Sequence, residues 1–475
     1  MKENYAPLYE ALMNNINKKP ISFHVPGHKY GRVFPKEFSP GFETILKFDA
    51  TEVRGLDDLH APEEAIKEAL QLASDFFQSK ETFFLVNGTT VGNLAMILSV
   101  CQPGDEIIVQ RNCHKSVLNG LELAGASPVF IAPRYERETG RYSSILAKDV
   151  EEALSRHPNS KAVFLTYPDY FGSTYDLESI ADIVHHSNLP LLVDEAHGVH
   201  FHLGETFPKS ALASGADVVV QSAHKMSPAM TMASFLHIGG DRIDAEGIRH
   251  YLQILQSSSP SYPLMASLDL ARFYMASWGN RERKELRQFT KNVRSILDSY
   301  DHLFTVKPSH LNVDPLKLTL EAEACSGYEL AEALDAVGIV PEMATSEQVL
   351  LVLGLGPSLD LTDLNQRLGS LEWQLKNSSN HATIKENHLP LPVVQNLEYS
   401  YFDMRKMMVE KVDWSDAAGY VAAEAIIPYP PGIPMIMKGE RISESHYQKV
   451  TALIKQGARF QNKEIEQGIR VFKGE

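Results

Sequence analysis

Val218-Val-Val-Gln-Ser-Ala-His-Lys-Met-Ser227 is an apolar run of strand type that stops at a Ser-Ala-His-Lys turn and delivers one amine, Lys225, to the strand's end. Alone, that amine is better read as a solvated surface charge. An earlier segment changes the reading. Leu189-Pro-Leu-Leu-Val-Asp-Glu-Ala-His-Gly198 has the pattern of a buried strand and ends in a carboxylate, Asp194. One strand supplies an acid and a later one an amine. Pyridoxal phosphate (PLP) needs that pair: a lysine to form its Schiff base and a carboxylate to hold a proton on its pyridine nitrogen.

Outward from these two strands, strand and helix patterns alternate as far as about residue 238. Apolar runs at Thr82–Val86, Glu106–Val109, Pro128–Ile131, Ala162–Leu165, Leu191–Val193, Val218–Val220 and Ser234–Ile238 read as strands. Helical spacing lies between them near 91–101, 115–124, 147–156, 176–187 and 207–214. Such alternation predicts an α/β fold with a mostly parallel sheet covered by helices on both faces. Upstream, residues 1–20 and Glu63–Phe77 carry helical spacing around the turn-rich Phe23-His-Val-Pro-Gly-His28. Two long helices, Leu264–Ser277 and Arg281–Tyr300, interrupt the alternation. They precede a second, smaller α/β unit: strands Leu316–Glu321 and Val349–Leu353, helices Tyr328–Val337 and Leu361–Leu375. The polar stretch Lys376–Asn387 reads as a linker, and Ile426–Pro434, with four prolines in nine residues, as a rigid shaped loop. The expected organisation is a large domain over 1–275, a small α/β domain over 276–380 and a C-terminal domain over 388–475.

With 475 residues, 44% of them hydrophobic, the chain can bury more than one core. A formal charge of −15, from 45 basic and 60 acidic side chains, argues against nucleic-acid or anionic-membrane binding and suits a cationic small molecule. The three cysteines, Cys101, Cys113 and Cys325, have no paired spacing and read as reduced thiols of a cytoplasmic protein. There is no apolar leader region and no run of the ~20 apolar residues a membrane span needs.

Three further stretches offer chemistry. Phe84-Leu-Val-Asn-Gly-Thr-Thr-Val-Gly-Asn93 runs from strand through turn into helix, so helix N–H groups and the hydroxyls of Thr89 and Thr90 can meet a phosphate monoester; an ordinary Thr-capped helix is the plainer alternative. No Gly-x-Gly-x-x-Gly or P-loop pattern is present. Gln110-Arg-Asn-Cys-His-Lys-Ser116 puts His114 at the end of the next strand, where it could stack on a flat ring or simply cap a helix. His197, His200, His202 and Glu205 look superficially like metal ligands, but His-x-x-His-x-His is no specific zinc pattern, and we expect no metal. His24 and His28 read as loop-fixing or substrate-lining residues.

In their order along the chain these motifs resemble the Orn/Lys/Arg decarboxylase family: Phe23-His-Val-Pro-Gly-His28, Gly55-Leu-Asp-Asp-Leu-His60, Val86-Asn-Gly-Thr-Thr90, Arg111-Asn-Cys-His-Lys-Ser116, Val193-Asp-Glu-Ala-His-Gly198, Ser222-Ala-His-Lys225 and Pro428-Tyr-Pro-Pro-Gly-Ile-Pro434. The resemblance implies the PLP-dependent transferase-like fold (fold type I). It is to a compact form that starts at the PLP domain, without an N-terminal wing domain. By that resemblance Lys225 is the Schiff-base lysine, Asp194 the pyridinium partner and His114 the ring-stacking residue. Thr89, Thr90, Ser222 and His224 hold the phosphate, and His197 lies where some members carry tryptophan. The implied reaction is decarboxylation of arginine, lysine or ornithine to CO2 and an amine that feeds polyamine synthesis, with arginine favoured. A homodimer with shared active sites is implied as well, in which Ser257-Ser-Ser259 reaches the partner's phosphate; a higher oligomer stays open. The substrate's distal cation needs an acid, for which Asp57, Asp58, Glu424 and Glu440 are candidates. Two alternatives remain: an aminotransferase or other PLP lyase, with Arg405 or Arg441 available to grip a carboxylate, and a non-catalytic PLP-binding regulatory protein.

Overall fold

Apolar runs between Glu81 and Ile238 pair into one large sheet because each is too hydrophobic to face water on either side. In chain order the first nine strands are β1 (Glu81–Leu85), β2 (Glu106–Gln110), β3 (Ser127–Ile131), the hairpin β4 (Arg134–Glu136) and β5 (Arg141–Ser144), β6 (Val163–Thr166), β7 (Leu191–Asp194), β8 (Val218–Gln221) and β9 (Ser234–Ile238). Later come β10 (Thr305–Val306), β11 (Lys317–Glu321), β12 (Met343–Ala344), β13 (Gln348–Val352), β14 (Val394–Asn396), β15 (Val409–Val412), β16 (Val421–Ala422) and β17 (Ile469–Phe472). The main sheet has the order β1-β9-β8-β7-β6-β2-β3-β14, parallel from β8 through β3 and antiparallel at both edges. Because β9 runs against β8 and β1 against β9, strand β1 points the same way as the parallel set. Its C-terminal end therefore shares an edge with those of β2, β7 and β8.

This computed structural model describes residues 5–307, 313–323, 325–376, 392–428, 434–455 and 458–473. Much of the expected linker (377–387) and the centre of the proline-rich loop (429–433) lie outside the described residues. Helices α1 (Pro7–Asn17), α2 (Ser39–Phe48) and α3 (Ala65–Phe77) precede the sheet. Between its strands run α4 (Gly88–Val100), α5 (Lys115–Ala124), α6 (Ala147–Arg156), α7 (Leu177–His186) and the single turn α8 (Ala223–Met226). Helices α9 (Ala245–Leu255), α10 (Tyr262–Ala276) and α11 (Asn280–Asp298) lead into the small sheet, ordered β10-β11-β13-β12 and backed by α12 (Gly327–Ala336) and α13 (Leu361–Lys376).

The expected helix at 207–214 is instead a succession of turns. Pro208 and the left-handed Gly215 (φ 95°) bound it, and the Ala211 N–H leaves any helical ladder to donate to Glu195 Oε1 at 2.8 Å. The C-terminal segment expected over 388–475 is more than its proline-rich loop. It contains α14 (Tyr401–Met404), α15 (Glu444–Lys455) and a three-stranded sheet, β15-β17-β16, around its own core with Trp414, Ile426, Ile436 and Val471. Ahead of that sheet, β14 extends the main sheet by pairing with β3, so the last segment is stitched to the first domain through backbone hydrogen bonds. Among the described residues no helix is long and apolar enough to cross a membrane.

Candidate active site

Four strand ends meet at the C-terminal edge of the parallel set. Asp194 is the last residue of β7, and Lys225 follows β8 within α8. His114 caps α5 after β2, and Thr89 opens α4 after β1. Ligands of open α/β sheets bind at this edge. The acid and amine that decided the sequence reading thus face one space from adjacent strands.

Asp194 is buried (3% exposed). Its Oδ2 accepts from Asn93 Nδ2 at 2.8 Å and its Oδ1 from the Ala196 N–H at 3.2 Å. Burial pushes its pKa up, while the Asn93 hydrogen bond and the Lys225 charge pull it back. Asn93 Nδ2 also donates to Ser116 Oγ (2.9 Å), which stands 2.8 Å from His114 Nδ1. That Nδ1 accepts the Ser116 N–H as well, which places the ring proton of a neutral His114 on Nε2. Burial and the neighbouring Lys225 and Lys115 charges push its pKa down to about 4, so the ring is a flat, uncharged surface at neutral pH. Asn93 and Ser116 were not singled out from the sequence. Asn93 stands one helical turn beyond Thr89, a spacing that puts both on one helix face, and this was the available signal.

Thr89 Oγ1 lies 2.9 Å from Ser222 Oγ, and Asn87 provides no side-chain cap to α4. The Gly88 N–H donates to the Met232 carbonyl at 3.0 Å, and the other N–H groups at the start of α4 converge with the two hydroxyls. Thr90 is exposed beside them, and His224 turns its Nδ1 to the Ala233 carbonyl at 3.1 Å. Lys225 Nζ lies 5.0 Å from the Tyr170 ring centroid and 3.1 Å from His197 Nε2. Burial lowers its pKa against the opposing pull of Asp194 and Glu342. On the other side of the same imidazole, Lys317 Nζ stands 3.1 Å from His197 Nδ1. Lys317 belongs to the small sheet, and no local pattern in the sequence points to it.

The four candidate substrate carboxylates are dispersed. Asp57 accepts the backbone N–H groups of Asp58, Glu63, Glu64, Ile66 and Lys67, and so caps α3. Asp58 spends one oxygen on the His60 N–H. Glu424 pairs with Arg470 (3.1 Å), and Glu440 is buried against Arg111. None of the four hydrogen-bonds with Lys225, His114 or Asp194. Neither Arg405, which donates to the Glu122 and Leu123 carbonyls, nor Arg441, paired with Glu398, contacts the site. His200 Nε2 lies 3.0 Å from Asp314 Oδ2 without the alignment of a hydrogen bond, while His202 packs edge-on against Phe76. No cluster of metal-ligating side chains occurs among the described residues. His28 Nε2 and Asp49 Oδ2, 3.0 Å apart, fix the 24–31 loop. Ser257 is tied to the 57–60 turn through its carbonyl, 2.9 Å from His60 Nε2.

Comparison with known proteins agrees with this architecture. A family model for the Orn/Lys/Arg decarboxylase major domain matches residues 6–312, and the model of the family's C-terminal domain matches 382–463. An uncharacterized protein, YaaO, of Bacillus subtilis (strain 168) is 46% identical, with 94% of each chain covered. An arginine decarboxylase of the same organism is 33% identical over 94% of this chain and 93% of its own. Among solved structures, the Escherichia coli constitutive lysine decarboxylase superposes with a TM-score of 0.82 at 20% identity, covering 99% of this chain and 82% of that one.

Proposed function

Because the chain belongs to the Orn/Lys/Arg decarboxylase family, we propose that it removes the α-carboxyl group of a basic amino acid as CO2, with PLP attached to Lys225 and arginine as the first substrate to test. The observation that carries this reading is the Asp194–Lys225 pair, an acid and an amine at the ends of adjacent parallel strands, the acid buried and the amine half-buried. The residues present fit the cofactor. The uncapped start of α4, with Thr89 and Ser222, is an anion cradle at which Thr90 and His224 stand as further candidates. Arginine is preferred because a relative similar along nearly its whole length carries the name arginine decarboxylase.

When bound, PLP supplies an electron sink for the pair left behind by CO2. The chain's own residues would do the rest. Asp194, held by Asn93, would hold the proton on the cofactor's pyridine nitrogen. His114, uncharged, stacks without adding a positive charge. His197 orients the Lys225 amine through Nε2. For the substrate's distal cation, Glu342 is a better-placed acid than the residues expected from motifs. It bears electrostatically on Lys225, Lys317 and His224, and its carboxylate has no hydrogen-bond partner among the described residues. Asp58, whose second oxygen has no hydrogen-bond partner among the described residues, is the remaining motif-derived candidate. The reading includes a homodimer of cytoplasmic location. The exposed apolar side chains Phe23, Val25, Phe38 and Phe42 support it as surface for a second copy.

The test is a panel of arginine, lysine and ornithine with PLP and direct CO2 detection. Amine plus CO2 from one of them is expected. A keto acid without CO2 would establish the aminotransferase alternative, and no spectral response to any of the three would establish the binding-protein alternative. Lys225→Ala must also lose the borohydride-fixed cofactor; equal retention by variant and wild type would remove Lys225 as the anchor.

A further inference from the structure

One imidazole stands between two lysines. His197 Nε2 lies 3.1 Å from Lys225 Nζ, and Nδ1 lies 3.1 Å from Lys317 Nζ. Lys317 is the first residue of β11, yet it is 5% exposed and aimed out of its own sheet into the main-sheet site. The turn after β6 closes over it. Gly172, at φ 83°, comes so near that a Cβ there would sit 2.8 Å from Lys317 Cγ, and its carbonyl accepts the Asp314 N–H at 2.9 Å. The long side chain is thus held in place from both domains.

Hydrogen-bond bookkeeping restricts the protonation of this trio. An ammonium only donates, and a neutral imidazole has one N–H and one acceptor nitrogen. Two ammonium groups cannot both bond to it. If the ring were an imidazolium, both lysines would have to be amines. With both contacts made, at least one lysine is therefore uncharged. The choice between them follows from the surroundings. Lys317 faces Asp314 and Asp169, both buried, which favour a cation there. Lys225 faces Asp194, which Asn93 also engages, and the uncharged His114, while Glu342 acts on both lysines. In the consistent arrangement the Lys317 ammonium donates to Nδ1, the proton sits on Nε2, and Nε2–H donates to a Lys225 amine.

We propose that Lys317 is a positioning residue which, through His197, holds Lys225 as the neutral amine and serves as the terminal proton donor of a Lys317–His197–Lys225 relay. The inference rests on the reading of Lys225 as the cofactor anchor. An amine, unlike an ammonium, has the lone pair needed to bond an aldehyde carbon. When Lys225 later takes a proton, Nε2–H passes to its Nζ, one Lys317 proton passes to Nδ1, and Lys317 is left as the amine. One proton is displaced along the line and no electron is transferred out of it. Burial brings the Lys317 pKa down to about 8, within reach of such an exchange.

The test measures capture of PLP by the full-length apoprotein across pH, fixed by borohydride and located by peptide mass. In Lys317→Met, loss of the neighbouring cation lets Lys225 keep its own proton to higher pH. The capture midpoint moves up by about one pH unit, which is about tenfold slower capture at a fixed pH below both midpoints. A merely structural lysine would leave the midpoint in place. Wild-type capture at Lys225 with a Lys317→Met profile that superposes on it overturns the relay and leaves the cofactor reading intact. No wild-type adduct at residue 225 overturns both. Should Lys317→Met fail to fold, the ring nitrogens of His197 in wild-type protein decide, assigned by 15N-histidine spectra against His197→Gln. An unprotonated Nδ1 with Nε2–H is expected, and a proton on Nδ1 refutes the arrangement.

Discussion

Glu440 was expected beside the substrate, and its surroundings predict a different role that can be measured. Its Oε1 accepts from Arg111 Nη2 at 2.7 Å and Gln395 Nε2 at 3.0 Å; its Oε2 accepts from the same Arg111 nitrogen and from the Met437 N–H, both at 2.8 Å. Both charged residues are about as buried as core side chains, at 5% and 6% exposure, and Arg111 Nε has no hydrogen-bond partner among the described residues. Removing one member of such a pair leaves an uncompensated charge and costs about 3–5 kcal/mol, whereas replacing both with apolar residues of similar volume is close to neutral. Glu440→Leu and Arg111→Met should each destabilise by that amount, and the double variant by far less than either. Urea unfolding followed by tryptophan fluorescence reads the effect, since Trp414 packs in the C-terminal core and Trp278 in the main one. With a slope of about 2 kcal/mol per M, each single variant lowers the midpoint by about 2 M. A double variant showing the sum of the two single losses would refute the pairing argument, because additivity means no coupling. The consequence reaches the site, since Arg111 begins the turn that presents His114. The single variants should therefore also bind PLP more weakly.

Asp57→Ala removes the acceptor of five α3 and turn N–H groups at a residue with φ 70°, so thermal unfolding should show a loss of at least about 2 kcal/mol with little change in substrate KM; a large KM rise at unchanged stability would restore Asp57 as a substrate ligand. Glu195 is fully buried on Gln221 Nε2 (2.6 Å), and burial raises its carboxyl from an ordinary 4.5 to about 8. Its raised folded-state pKa means that the folded state holds a proton the unfolded chain has released. Stability from this group is therefore full below pH 4.5 and lost as pH rises toward 8, by up to about 1.4 kcal/mol per pH unit. Glu195→Gln should flatten that part of the stability–pH curve, and an unchanged slope would dismiss the raised carboxyl. Burial pushes the Cys101 and Cys113 thiols up to about 12 and Cys325 to about 11, so a disulfide reagent at pH 8 should find no fast-reacting thiol until the protein is unfolded.

The parts of this molecule that could be read in the sequence share a physical property: their chemistry is written within a few residues of a strand end. Asp194 and Lys225 follow apolar runs that could only be buried strands, and parallel strands bring their C-terminal ends to one edge whatever lies between them. Thr89 and His114 were legible for the same reason, as residues at the start of helices that follow strands. The expected substrate carboxylates had no such constraint. Asp57 stands in a recognisable motif and Glu440 beside one, but what a carboxylate does depends on which donors surround it, and here those donors are backbone N–H groups and Arg111. Lys317 and Glu342 show the converse. They are ordinary charges at the margins of a small-domain sheet, and only the packing of the Asp169–Ser173 turn against β11 turns Lys317 toward His197. The residues proposed to hold the cofactor can thus be inferred from the strand order of the main sheet. Lys317, proposed to govern the protonation of Lys225, and Glu342, proposed to meet the substrate, lie on the small sheet or beside it, and they become identifiable only once its packing against the main sheet is known.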